Sequence, residues 1–331
     1  MNPPKCSAHD YLQFLIAAQS RFTCTEAARC QPDAPDSPAH DAFNRLLLRL
    51  PAKTRTLWRD ARKLIDPTDG LIIIDDSVQD KPYARRMELV GSHWSGKHHR
   101  VVEGIDLMTL LWSNGQALVP CDFRVYHFAS DGLTKNDHFR QLLHVAHQRR
   151  MQPRYVAFDS WFSGLENLKT VRGYGWHWLT RFKSNRLVNP DHTRNVPIGE
   201  VPIPAEGRVV HLKGYGMVKV FRTVACDGDA EYWATDELTM SEAQRKTLAD
   251  QSWGIETYHR GIKQCCGTEG VQARRAVAIR NHLGLALRAF LRLEAHRLRT
   301  GVSWYEAKLG IVREAIAHYL MHPRYYRLST A

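Results

Sequence analysis

The 331-residue sequence predicts an α/β fold, a mixed sheet flanked by helices, and three observations carry that prediction. Residues 71–76 (LIIIDD) form an apolar, β-branched run bounded by Asp69-Gly70 and Ser77, which reads as a strand buried on both faces. Two further strand-like runs, 101–112 and 117–127, flank Ser113-Asn114-Gly115, and Asn-Gly between such runs signals a hairpin. A helical period over 136–150, capped by Thr134 and ended before Pro153, then leads to residues 155–159 (YVAFD), a second apolar strand finishing in a carboxylate.

The chain begins with helical spacing of apolar residues over 10–20 and again over 41–50. Between them Thr25 is placed to cap a short helix, and Ser37-Pro38 offers a cap followed by proline in the first turn. Arg45, Arg49, Lys53, Arg55, Arg59, Arg62 and Lys63 follow. This helical N-terminal region, 1–68, reads as a helix-turn-helix-like DNA-binding module, or equally as a plain helical subdomain with a solvated basic face. Residues 69–185 hold strand, hairpin, helix and strand, then a helix over 164–172 and a strand over 176–182. Three antiparallel strands followed by β-α-β is the chain order of a ribonuclease H-like fold.

From 186 to 240 the character changes. Pro190, Pro197, Pro202 and Pro204 punctuate the segment, and alternating runs around Gly and Asp turns predict a β-rich insertion. Helical periodicity returns over 241–300, the second part of the core, and continues through a C-terminal helical segment, 301–331.

Composition narrows the function. Forty-six Lys and Arg against 34 Asp and Glu leave a formal charge of +12, which points to a polyanionic partner, most often nucleic acid. The 7 cysteines, at positions 6, 24, 30, 121, 226, 265 and 266, form no C-x-x-C pair and fit neither a zinc site nor a disulfide framework. No signal-peptide pattern and no apolar run of membrane-spanning length is found, so the expectation is a cytoplasmic protein with no membrane partner.

Asp75 or Asp76 and Asp159 sit at the ends of two strands that such a fold makes neighbours, and Glu256 lies on a helix that follows the insertion. Three carboxylates from strand, strand and helix would make an oxygen-rich site for Mg2+ or Mn2+. Two such ions about 4 Å apart activate a hydroxyl on one side of a phosphodiester and stabilise the leaving oxygen on the other. Adjacent strand residues point to opposite faces, so only one of Asp75 and Asp76 can join Asp159.

Trp253, Ile255, Glu256, His259, Arg260 and Lys263 match the pattern W-x-I-E-x-x-H-[KR]-x-x-K. With the IIIDDS and AFDSW stretches, this resembles the DDE transposases of bacterial insertion sequences, the group whose ribonuclease H-like domain carries a β-strand insertion between the second Asp and the Glu. The resemblance covers roughly residues 70 to 300. It implies a divalent-metal-dependent nuclease and polynucleotidyl transferase acting on the terminal inverted repeats of its own element and on target DNA, as a homodimer in the active complex, associated with the nucleoid when bound. Asp75, Asp159 and Glu256 would be the catalytic and metal-binding residues, with Asp76 the alternative to Asp75. The group's Asp-x-Thr/Ser spacing favours Asp75. Where the group often carries Tyr and Arg before the glutamate, this chain has Ala249 and Ser252.

Lys263, two helical turns after Glu256, is assigned a phosphate contact, with Arg260 and His259 as companions. Trp233 in the insertion either stacks on an unpaired base or belongs to the core. Arg274 and Arg275, in a basic stretch read as the start of a helix over 272–280, face phosphates or solvent. Two alternatives to the transposase reading are a nuclease of this fold without strand transfer and a DNA-binding protein that has lost catalysis.

Overall fold

The computed structural model describes residues 4–32, 34–96, 98–224 and 228–323. Four helices open the chain: α1 (Ala8–Ala17), α2 (Cys24–Arg29), α3 (His40–Arg49) and α4 (Arg55–Ala61). Strands β1 (Leu71–Asp80), β2 (Gly91–Ser95), β3 (Arg100–Ser113) and β4 (Leu118–Tyr126) follow. After α5 (Phe128–Asp131) and α6 (Lys135–Gln148) come β5 (Tyr155–Phe158), α7 (Leu165–Gly173) and β6 (His177–Phe182). Five short strands come next: β7 (Leu187–Val188), β8 (Val196–Pro197), β9 (Arg208–Leu212), β10 (Gly216–Val224) and β11 (Ala230–Thr235). The chain closes with α8 (Glu242–Ser252), α9 (Gly254–Cys266), α10 (Ala276–Thr300) and α11 (Trp304–Met321).

These elements form two compact units, Thr54–His259 and the combination of Met1–Lys53 with Arg260–Ala331; the division falls inside α9. The first unit is built on a nine-stranded sheet in the order β2-β3-β1-β5-β6-β11-β10-β9, with β4 also paired to β3. β1 runs antiparallel to β3 and parallel to β5, and β5 runs parallel to β6. This is a ribonuclease H-like α/β arrangement. Ile72, Ile73 and Ile74 are at most 2% exposed, the burial that their unbroken apolar run implies for a strand covered on both faces. The hairpin turns where expected: Gly115 takes φ +90°, and Asn114 Oδ1 accepts from the amides of Gln116 and Ala117.

The segment over 186–240 is β-rich, as its composition suggested, and most of its strands extend the main sheet. β11 pairs antiparallel with β6, so β9, β10 and β11 continue the main sheet, while β7 and β8 form a small ribbon. α8 packs on β1, β5 and β6. Its start is fixed by a capping box between Ser241 and Gln244, as Thr134 and Asp137 fix α6.

The second unit is helical. α1 and α3 pack against α10, α2 against α3, and α11 against α1 and α10. Thr23, not Thr25, caps α2 through a 3.1 Å bond from the Glu26 amide, because Thr23-x-x-Glu26 has the capping spacing. Ser37 does not cap α3, whose N-cap is Ala39. The connections from α1 to α2 and from α2 to α3, residues 18–23 and 30–39, are longer than the three- or four-residue turn of a helix-turn-helix. Lys308, buried, directs its ammonium at the carbonyls of Ile16 and Cys265, each 2.8 Å away, and of Ala18 at 2.5 Å. The described cysteines are free thiols; Cys226 lies outside the described residues. Among the described residues, no helix is long and apolar enough to cross a membrane.

Candidate active site

β1 and β5 are in parallel register through the pair Ile74 and Phe158, and the next residues are Asp75 and Asp159. Side chains at matched positions of parallel neighbours face the same way. Asp75 and Asp159 therefore open on one face of the sheet, Asp75 midway along β1, which runs on to Asp80 beyond the expected end at 76, and Asp159 just past the end of β5. Glu256, exposed in the first turn of α9, joins them: all three line one cleft of about 210 Å³. Burial, then the charges of Asp76 and Asp159, holds the Asp75 carboxyl well above the usual carboxylate range. Burial, followed by the charge of Asp76, also raises Asp159. The site concentrates negative charge with too little cation to balance it.

Asp159 is held by local geometry. It caps the 3-10 turn Ser160–Phe162, with Oδ1 accepting from the Trp161 amide at 2.8 Å, while Thr180 Oγ1 donates to its carbonyl at 3.0 Å.

Asp76 goes elsewhere. Lys135, on the first turn of α6, reaches Asp76 at 2.9 Å and the fully buried Asp106 of β3 at 2.6 Å. The two-residue period of the strand separates the neighbours: Asp75 belongs to the cleft, and Asp76 to a buried ion cluster on the reverse face.

His259, expected beside Lys263 as a companion phosphate contact, lies close to the carboxylates. At 6% exposure it is buried, and one ligand atom from each of Asp75, Glu256 and His259 lies within 4.8 Å of the others. Glu256 and His259 are three residues apart on one helix, a spacing that brings side chains to the same face. Two carboxylate oxygens and an imidazole nitrogen form a donor set that suits a divalent cation, and a bound cation would relieve the repulsion that raises Asp75. Asp159 is outside this tightest group but faces the same cleft.

Arg181 and Glu231, which the sequence did not single out, complete the walls with Trp233. Arg181 of β6 lies over the Trp233 ring at 5.7 Å and bonds Glu231 at 2.7 Å; all three line the cleft. Arg245 of α8 covers Trp233 at 5.5 Å. Trp233 is thus a half-buried cleft wall with two guanidinium groups near its ring. Ala249, Ser252 and the exposed Trp253 line the cleft as well. Arg181 carries no sequence signal, because a single basic residue in an apolar strand looks like any solvent-facing position. Only the pairing of β11 with β6, which sets Trp233 opposite Arg181, brings it to the site.

The remaining basic candidates lie in the helical unit. Lys263 forms an ion pair with Glu269 at 3.3 Å, and Arg260 is exposed. Arg274 and Arg275 are exposed but precede α10, with Arg275 at its N-cap, so the helix starts later than the basic stretch suggested.

Neighbouring parallel strands that each present a carboxylate to one cleft, met by a glutamate on a later helix, complete the ribonuclease H-like arrangement. The family described as Transposase DDE domain matches residues 66–292, more than half of the chain, and this protein belongs to that family. Among solved structures, the chain is similar to the piggyBac transposase in a synaptic complex with hairpin DNA, determined by cryo-EM. That likeness has a TM-score of 0.53 at 10% identity and covers 99% of this chain and 74% of that one. A Drosophila P element transposase strand transfer complex aligns over 98% of this chain and 88% of that one, with a TM-score of 0.29 and 8% identity. No curated protein matches the chain.

Proposed function

We propose that this transposase cuts and joins DNA through Asp75, Asp159 and Glu256, acting with two Mg2+ or Mn2+ ions on the terminal inverted repeats of its own element and on target DNA. The observation that carries the reading is the convergence of these three carboxylates, from β1, the end of β5 and α9, on one cleft. The ions, when bound, would activate the attacking hydroxyl and stabilise the leaving oxygen. Asp75, Asp159 and Glu256 would hold the ions through their carboxylate oxygens. Arg181 is positioned for a phosphate, and Trp233 and Trp253 offer ring faces to an unstacked base. Lys263, Arg260, Arg274 and Arg275 are proposed contacts to duplex phosphates, and a homodimer would hold two ends.

Glu256→Gln tests the assignment, because it removes a metal ligand of nearly the same size without touching a basic residue. Cleavage of DNA carrying the terminal repeats is expected to disappear while binding to the same DNA stays within about twofold. Wild-type cleavage by this variant would overturn the role of the triad. Strand transfer from pre-cleaved ends tests the joining step.

A further inference from the structure

We infer that His259 is a nitrogen ligand to the divalent cation held by Asp75 and Glu256, so that this site takes Mn2+ in preference to Mg2+. The inference rests on the metal-dependent reading above and adds a donor to it.

Three observations point to the imidazole. Its ligand atom lies within 4.8 Å of those of both carboxylates, close enough for one ion to touch all three. It sits one helical turn beyond Glu256, on the rigid scaffold of α9, so the two donors are presented together. At 6% exposure it is withdrawn from the surface, where a phosphate-contacting histidine would have to be. The carboxylates supply two negative charges and the imidazole a neutral, softer donor. Mg2+ prefers oxygen ligands and keeps several waters, whereas a nitrogen donor favours first-row transition ions. Asp159 lies outside this group.

The test uses the full chain without DNA and Mn2+ alone as the probe. Pulsed electron paramagnetic resonance of wild-type protein is expected to show nitrogen coupling to Mn2+ that changes when histidine is labelled with 15N. His259→Gln should lose that coupling and bind Mn2+ at least about tenfold more weakly, with a smaller loss for Mg2+. Nitrogen coupling that is absent from the wild-type spectrum, although Mn2+ binds and Asp75→Asn prevents it, would refute the histidine ligand and leave the carboxylate reading standing. Coupling retained in His259→Gln would refute it too. Mn2+ that binds wild type no better than Asp75→Asn or Glu256→Gln would overturn both. The decisive spectrum is recorded on unaltered protein, so a folding defect in a variant cannot mask the answer.

Discussion

Asp75 and Asp159 stand at the same level of two parallel strands, each immediately after the last pair in register, Ile74 and Phe158. The sheet forces two carboxylates together in a half-buried cleft, and Glu256 adds a third. Such an arrangement disfavours the metal-free folded state, because like charges are brought together away from water.

Asp75→Asn is therefore expected to stabilise the metal-free protein. A carboxyl held above its unfolded value contributes its stability below the unfolded pKa and loses it as pH rises through the folded value. The gain should be near zero around pH 4 and reach about 1 to 3 kcal/mol at pH 8, measured by urea unfolding in a chelator. Adding Mn2+ should raise the melting temperature of wild type and not of this variant. A saturating hundredfold excess over Kd is worth about 2.7 kcal/mol.

The Asp76, Lys135 and Asp106 cluster predicts a second pH effect. Burial, then repulsion from Asp76, outweighs the attraction of Lys135 and pushes Asp106 up to about 7. Wild-type stability from this residue is present below pH 4 and lost as pH rises through 7, since the unfolded carboxyl ionises earlier. Asp106→Asn leaves Lys135 its 2.9 Å bond to Asp76 and should flatten that slope, with a gain of order 2 kcal/mol at pH 8. Unfolding curves of both proteins at pH 5 and pH 8 decide it; equal slopes would sink the idea.

Arg181 is the cation among the described residues that line the cleft. Arg181→Met keeps much of the side-chain bulk beside Trp233 and removes the charge. It should weaken binding to repeat-end DNA and reduce the slope of log K against log salt by about one. An unchanged slope in a filter-binding series would show that the guanidinium only braces Trp233 and Glu231.

Lys308 holds carbonyls at the end of α1 and at Cys265 of α9. Lys308→Met preserves volume and leaves those buried acceptors without their donor. The expected cost is about 2 to 4 kcal/mol in urea unfolding, without direct loss of any cleft residue. A change under 0.5 kcal/mol would mean that water replaces the ammonium.

The sequence by itself determined the local chemistry: the buried apolar run that opens β1, the Asn-Gly hairpin, the Thr134 cap and the two aspartates that follow apolar strand runs. Each rests on short-range rules of periodicity, turn geometry and capping that need no partner. The pattern around Glu256 named the helix that carries the third acid. Tertiary structure decided what depends on pairing. The register of β1 with β5, together with the bond from Lys135 to Asp76, separated two aspartates between which the motif spacing gave only a slight preference for Asp75. The pairing of β11 with β6 joined the β-rich insertion to the main sheet and brought Arg181 to the cleft. The burial of His259 beside the carboxylates could not be read from the sequence, because burial is set by what packs over a helix face, and a sequence records the face but not its cover.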